Sequence, residues 1–145
     1  MLSLVFWTPT SITGDLIAWW ECSPVSHVGI LVDNTYWESL PRKKLRGVPF
    51  SSVSGYFEVV KLSDSVQDTG KAWDVLLEHE GYTYDYGGVA SFICPWIKEQ
   101  KHADFCSEIA WKATRHLLDS GVMSKIKPSD IYLLARQRSA DMMKK

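Results

Sequence analysis

The sequence lacks the features that mark several large classes of protein. Its 16 basic and 17 acidic residues leave a formal net charge of −1, so no excess of one charge directs the chain to nucleic acid. No apolar run approaches the ~20 residues that span a bilayer, which predicts no stable insertion into a membrane. The apolar start, Met1 to Trp7, has no basic flank and no small-residue cleavage site, so no signal peptide is expected. These absences fit a cytoplasmic protein, or one delivered by a phage particle or released at lysis.

Cysteine is also scarce, and its arrangement excludes a disulfide scaffold. The three cysteines are an odd number without the spacing of a small secreted domain: Cys22, Cys94 and Cys106. Two close pairs of Cys or His, which a structural zinc site needs, are missing, so neither a metal nor another cofactor is expected. The 145 residues, 46% of them hydrophobic and 23% charged, suffice for one globular domain over residues 1–145.

The order of the predicted elements indicates an α+β domain with a mainly antiparallel sheet. Strand-forming residues come early, at 26–32, 35–39 and 56–62, after a short apolar run at 2–7. Apolar residues at helical spacing come later and predict helices over 69–79 and 105–118, with a last helix from Pro128. Gly81 is a suitable C-terminal cap for the first of these helices.

The dipeptide Asp33-Asn34 predicts a two-residue turn that joins the first two of these strands into a hairpin. In that register three pairs lie opposite each other: Val32 with Thr35, Ile30 with Trp37, and Gly29 with Glu38. His27 is then the diagonal neighbour of Glu38 on the same face, with about 7–8 Å between the two backbones. Because Gly29 has no side chain, Glu38 has room to cross toward the imidazole.

A histidine beside a carboxylate is the second half of a catalytic relay. The carboxylate fixes the tautomer of the ring, and the ring accepts a proton from a nucleophile. The alternative for His27 and Glu38 is a surface histidine beside a surface glutamate, which the hairpin by itself does not exclude. His79 lies on the apolar stripe of its helix, so we interpret it as a buried or boundary residue rather than a base.

Cys106 is the cysteine whose setting favours reactivity. It follows Asp104, a predicted N-cap, at the start of the strongest predicted helix. Unpaired N–H groups and the helix dipole at such a start favour the thiolate form. Cys22 and Cys94 stand beside or near a proline in predicted loops, which indicates small apolar residues. A small apolar residue is also the alternative for Cys106.

Two motifs together resemble the signature of NlpC-type cell-wall peptidases, which are small papain-like cysteine enzymes: Tyr84-Asp85-Tyr86-Gly87-Gly88 and Asp104-Phe105-Cys106-Ser107. In the usual members the cysteine helix precedes the histidine strand, whereas here Ser26-His27-Val28-Gly29 comes first. This order is similar to the permuted branch of the fold, which includes YiiX-like proteins and, more distantly, the lecithin:retinol acyltransferase group. Gly14-Asp15 and Cys106-Ser107-Glu108 also fit that branch, and the resemblance covers roughly residues 14–113.

The resemblance implies a circularly permuted, papain-like fold, in which an antiparallel sheet packs against helices. It implies four site residues: Cys106 as the nucleophile, His27 as its general base, Glu38 as the residue that orients the imidazole, and Tyr84 as an oxyanion-hole donor beside the backbone N–H of Cys106. Phe105 stands where the usual members have an Asp directly before the cysteine, and the segment 90–103 is longer than in the simplest members.

The activity implied by the resemblance is hydrolysis of an amide bond in bacterial peptidoglycan stem peptides, through an acyl-enzyme and without a cofactor. The implied partner is a peptide or a peptidoglycan fragment. Two alternatives remain open: a lipid acyl or thioester hydrolase or acyltransferase of the same fold, and a binding module without turnover. An inert Cys106 thiol at neutral pH would favour the binding module. The basic run from Arg42 to Arg46 is interpreted as a solvated loop, which could also flank the cleft and attract carboxylates.

Overall fold

The computed structural model of the protein describes residues 1–8, 24–40, 42–85, 104–118 and 126–144. Within these ranges five strands come first and three helices follow, which confirms the expected α+β class. The strands are β1 (Leu2–Trp7), β2 (His27–Val32), β3 (Thr35–Glu38), β4 (Arg46–Pro49) and β5 (Phe57–Ser63), and the helices are α1 (Val66–His79), α2 (Cys106–Thr114) and α3 (Pro128–Met143). A short 3₁₀ turn, Phe50–Ser52, follows β4. None of the helices in these ranges has the length and apolar character to cross a membrane.

All the described strands form one antiparallel sheet in the order β4-β3-β2-β1-β5. The apolar run at 2–7 becomes β1, which pairs with β2 on one side and β5 on the other. Five of its six residues are buried, so both of its faces are covered. A strand covered on both faces has no polar–apolar alternation, which explains why the sequence pattern alone did not identify it as a strand.

The basic run Arg42 to Arg46 was expected to be a solvated loop, and this holds only in part. Arg46 opens β4, whose four residues pair with β3 at the edge of the sheet. Neither face of β4 is fully buried, and the strand ends at Pro49. A short edge strand of this kind carries little periodic signal in its sequence, because packing constrains few of its side chains.

Apolar side chains cover the sheet on both faces. The larger cluster lies between the sheet and the helices and includes Val28, Ile30 and Val32 of β2, as the alternation of that strand predicts. The opposite face carries a smaller cluster of Val5, Leu31 and Tyr36, with further aromatic residues packed against it. Since side chains alternate along a strand, His27 and Gly29 belong to the face of this smaller cluster.

The helix boundaries differ from the predicted ones for local reasons. Helix α1 begins at Val66, three residues before the predicted start, because the Ser65 side chain accepts a hydrogen bond from the backbone N–H of Asp68 at 3.4 Å. It ends at His79 as predicted, and Gly81 follows with a φ of +84°. The last helix begins at Pro128, also as predicted.

Helix α2 starts at Cys106 and ends at Thr114, four residues before the predicted end. Its N-cap is Phe105 rather than Asp104, and no side chain caps the helix. The carboxylate of Asp104 instead accepts a hydrogen bond from Lys112, which lies on the same helix, at 2.6 Å. Asp104 therefore anchors the start of α2 through Lys112 and does not cap its backbone N–H groups.

Candidate active site

The hairpin that carries two of the predicted site residues forms in the expected register. Val32 lies opposite Thr35 and Ile30 opposite Trp37, and Asp33 adopts a φ of +53° in the turn. The pairing of β2 with β3 ends at Ile30 and Trp37, while β3 continues to Glu38 by pairing with β4. His27, at the start of β2, therefore lies three residues beyond the last pair between β2 and β3.

His27 is the first residue of β2 and lies opposite Trp7 of β1. Its Nε2 atom is buried and has no hydrogen-bond partner in the part of the chain that the structure describes. Burial lowers the pKa of His27 to about 4, because a charged ring would lose its hydration. At neutral pH the imidazole is therefore uncharged, which is the form that can accept a proton.

The space above Gly29 was expected to admit Glu38, but Tyr36 fills it. A Cβ atom on Gly29 would lie only 2.2–2.5 Å from three atoms of the Tyr36 ring and hydroxyl. Trp7 fixes that hydroxyl, since its Nε1 donates a hydrogen bond to Tyr36 Oη at 2.8 Å. Tyr36 did not emerge from the sequence as a site residue. The signal was present, because Tyr36 is the diagonal neighbour of Gly29 and an aromatic ring often packs over a glycine in a sheet.

Tyr36 connects the hairpin to the cysteine helix through electrostatics. Burial is the main reason that the pKa of Tyr36 is raised, and the hydrogen bond from Trp7 partly opposes it. Electrostatic interactions with Glu38 and Cys106 raise the pKa further. Glu38 and Cys106 therefore both lie within electrostatic range of the Tyr36 hydroxyl.

Glu38 ends β3 and has an ion-pair partner that the sequence did not reveal. Its Oε1 lies 3.2 Å from Nη2 of Arg46, the residue opposite it on β4. No hydrogen bond joins Glu38 to His27 among the described residues. The role of Glu38 in orienting the imidazole stays a prediction.

Cys106 is the first residue of α2, at the end of the helix where a thiolate is favoured. It is 6% exposed and is not part of a disulfide. It belongs to the larger apolar cluster with Val28, whose side chain lies on the opposite face of β2 from His27, so the pairing of Cys106 with His27 stays a prediction. Tyr84 is half-buried and Asp85 of the same motif is buried. The rest of the motif, Tyr86-Gly87-Gly88, lies outside the described residues, as do the segment 90–103, Gly14-Asp15, Cys22 and Cys94.

Three segments that carry predicted site residues meet at one hydrogen-bonded junction. The Ser39 hydroxyl donates to the backbone carbonyl of Asp104 at 2.6 Å, and the Asp104 N–H donates to the carbonyl of Thr83 at 3.0 Å. Ser39 follows Glu38, Thr83 precedes Tyr84, and Asp104 lies two residues before Cys106. The junction therefore brings the backbones at Glu38, Tyr84 and Cys106 together, although they are far apart in the sequence.

Asp104 is the centre of a buried polar cluster beside this junction. It is 1% exposed, and its Oδ1 accepts a hydrogen bond from Lys112, whose Nζ also lies 2.9 Å from Glu108. Burial alone would lower the pKa of Lys112, but the hydrogen bonds to Asp104 and Glu108 outweigh it and raise that pKa. Glu108 and Lys112 lie four residues apart along one side of α2, and Asp104 precedes the helix at the same spacing, so the sequence pattern indicates this cluster.

The other carboxylate oxygen of Asp104 is buried and has no hydrogen-bond partner within the described ranges. His79 lies beside this oxygen, with its Nε2 3.9 Å away. The Nδ1 of His79 lies 2.8 Å from the carbonyl of Val75, which can only accept, so Nδ1 carries the proton. His79 is 15% exposed on its side chain, in keeping with the boundary position predicted for it.

The described residues offer no group of three or more His, Cys, Asp or Glu side chains arranged to hold a metal ion. The side chains that the site does contain are suited to acid–base and nucleophilic chemistry. They are a neutral buried imidazole, a thiol at a helix start, a carboxylate and two tyrosine hydroxyls.

Comparison with known proteins shows that the chain shares its fold with a solved structure. No protein-family model matches the chain, and no curated protein matches it either. Among solved structures the chain is similar to the metalloprotein YiiX from Escherichia coli O157:H7, with a TM-score of 0.59 and 19% sequence identity. The similarity covers 94% of this chain and 79% of that chain. At this identity the similarity establishes a shared fold and leaves the chemistry to be argued from the residues.

Proposed function

We propose that the protein is a permuted papain-like cysteine hydrolase that cleaves an amide bond in bacterial peptidoglycan stem peptides. The observation that carries the proposal is the junction of Ser39, Thr83 and Asp104, because it gathers the segments of Glu38, Tyr84 and Cys106 around one point. The fold shared with YiiX and the motif resemblance support the same assignment. The protein acts as an enzyme in this proposal and needs neither a metal nor another cofactor.

In the first step of the proposed mechanism, the neutral imidazole of His27 accepts the thiol proton of Cys106. The sulfur then attacks the carbonyl carbon of the scissile amide and forms a tetrahedral intermediate. The protonated ring returns its proton to the amide nitrogen, the C–N bond breaks, and the amine leaves. A thioester between Cys106 and the acyl part of the substrate remains.

The second half of the mechanism releases the acid product. His27 takes a proton from a water molecule, and the resulting hydroxide attacks the thioester carbon. The C–S bond breaks, the sulfur of Cys106 recovers the proton from His27, and the carboxylic acid leaves. Tyr84 and the backbone N–H of Cys106 donate hydrogen bonds to the oxyanion in both halves, while Glu38 stabilises the charged ring of His27.

The test of this proposal is incubation of the protein with purified peptidoglycan, followed by mass spectrometry of the released fragments. We expect Cys106→Ala to release no fragments. His27→Ala should lower the rate by about 10²–10⁴-fold, the usual range for loss of a general base. His79→Ala is the matched control, because it removes a histidine that already has a structural hydrogen bond.

Several outcomes would contradict the proposal. If His79→Ala is as damaging as His27→Ala, the assignment of the base is wrong. Glu38→Ala should be slower than Glu38→Gln, which still accepts one hydrogen bond, and both should be milder than Cys106→Ala. Release of acyl groups from lipid or thioester substrates, without release from peptidoglycan, would favour the acyl hydrolase. An inert Cys106 and no turnover at all would favour the binding module.

A further inference from the structure

The loop between β3 and β4 concentrates positive charge next to the junction of the candidate active site. Arg42, Lys43 and Lys44 are consecutive and exposed, in a chain whose net charge is −1. Arg46, at the end of the loop, is paired with Glu38. Lys43 and Lys44 form no ion pair in the ranges that the structure describes. Because both side chains are exposed, an anion in solution can reach them.

The loop is held at both of its ends by the segments that carry the candidate site. At one end, the Ser39 hydroxyl binds the carbonyl of Asp104, two residues before Cys106. At the other end, Leu45 is buried, its N–H donates to the carbonyl of Tyr82 at 2.8 Å, and its carbonyl accepts from Gly81 at 3.0 Å. The three cations therefore lie on a short span anchored to Asp104, two residues before Cys106, and to Tyr82, two residues before Tyr84.

The conformation of this span is also defined locally. The N–H of Lys43 donates to the carbonyl of Leu40 at 3.0 Å, which closes a turn. Arg42 adopts a φ of +63°, a region that a side chain disfavours and that the surrounding contacts must maintain. The backbone that carries the positive charges is therefore already ordered, so the turn itself loses less conformational entropy when a ligand binds.

We propose that Lys43 and Lys44, on this turn, form a subsite that binds a carboxylate of the substrate and so selects peptides with a free carboxyl group near the scissile bond. This inference rests on the proposed function, since it names the part of the substrate that the same site recognises. Exposed cations attract such a group over a distance of about a Debye length, roughly 8–10 Å at ordinary salt concentrations. An exposed ion pair contributes modestly, so we expect the two lysines together to improve binding by about tenfold.

The test measures binding without turnover, in the full chain carrying Cys106→Ala. The probe is N-acetylated tetra-alanine, prepared once with a free terminal carboxylate and once as the terminal amide. NMR titration at pH 7 and low salt should show the carboxylate form binding about tenfold more tightly than the amide. The double variant Lys43→Gln with Lys44→Gln should abolish this preference, and so should high salt.

The matched control is Lys61→Gln with Lys144→Gln, which removes the same charge elsewhere. Lys61 lies on β5, at the opposite edge of the sheet from β4, and Lys144 follows α3. This control should retain the preference for the carboxylate. Equal binding of both peptides by the Cys106→Ala protein, or a preference that survives loss of Lys43 and Lys44, would overturn the subsite.

Failure of the subsite and failure of the proposed function give different results. A protein that releases peptidoglycan fragments but binds the two peptides equally retains the hydrolase and loses the carboxylate subsite. A protein that releases nothing, but whose carboxylate preference depends on Lys43 and Lys44, retains the subsite and loses the proposed reaction.

Discussion

The protonation of His27 provides a quantitative test of the candidate site. Burial lowers the pKa of this ring from an ordinary value of 6.5 to about 4. Between these two pH values the unfolded chain binds a proton at His27 and the folded chain does not. Stability is therefore unaffected above pH 6.5 and falls as the pH drops toward 4. At about 1.4 kcal/mol per pH unit, the full loss of unfolding free energy is on the order of 3 kcal/mol.

The perturbation is a change from pH 7 to pH 5, made in the parent protein and in His27→Gln. About 2 kcal/mol of the loss should already be present at pH 5, because the unfolded histidine is almost fully protonated there. His27→Gln lacks the titrating ring, so its loss between the two pH values should be smaller by that amount. Urea unfolding measures the free energies, and an NMR titration of the imidazole protons gives the pKa directly.

A His27 imidazole that titrates near 6.5 in the folded protein would refute the claim that burial lowers its pKa. An equal change in the free energy of unfolding between pH 7 and pH 5, in the parent and in His27→Gln, would refute it as well. His116→Gln is a useful comparison, because burial lowers the pKa of His116 while the charge of nearby Asp68 partly restores it. His116 should therefore also lower the free energy of unfolding as the pH falls. Comparing His116→Gln with His27→Gln shows how much of the pH dependence belongs to His27.

Two further predictions concern the packing around the site, and urea unfolding measures both. Gly29→Ala must displace the Tyr36 ring and should lower the free energy of unfolding by about 2–4 kcal/mol. The control is Gly70→Ala in α1, where a Cβ meets nothing within 4 Å, and it should stabilise the protein by about 0.5–1 kcal/mol. Similar effects of the two substitutions would contradict the packing of Tyr36 over Gly29. Asp104→Ala should cost about 3 kcal/mol, because it removes the buried carboxylate that accepts a hydrogen bond from the half-buried Lys112, while the backbone hydrogen bonds of residue 104 to Ser39 and Thr83 remain. Glu108→Ala, which removes the more exposed partner of the same lysine, should cost under about 1 kcal/mol, and an equal loss in both variants would exclude the anchoring role of Asp104.

The features that could be predicted from the sequence are those determined by neighbouring residues. The Asp33-Asn34 turn sets the register of β2 and β3, and Pro128 and Gly81 mark one helix start and one helix end through their own backbone preferences. Strands β1 and β4 were not predicted, because the first is buried on both faces and the second is a short edge strand.

The contacts inside the site depend on residues that are distant in the sequence. Glu38 and Tyr36 lie on the same face of β3, and either one could have occupied the space above Gly29. Trp7, from β1, fixes Tyr36 there through a hydrogen bond to its hydroxyl. No pattern within the hairpin predicts this choice, because the deciding group lies 22 residues before Gly29.

In the proposed mechanism, Glu38 has two alternative partners, Arg46 and His27, whose strengths differ between the resting and the reacting site. The ion pair with Arg46 is partly exposed, and pairs of this kind contribute about 0–1 kcal/mol. A neutral His27 offers no charge to oppose that pair, so Glu38 stays with Arg46 in the resting protein. A ring that has taken the thiol proton would offer a charge-assisted hydrogen bond of about 1.5–3 kcal/mol, which is the stronger interaction. In the proposed mechanism, the protonation of His27 is therefore the step that can draw Glu38 from Arg46 to the imidazole.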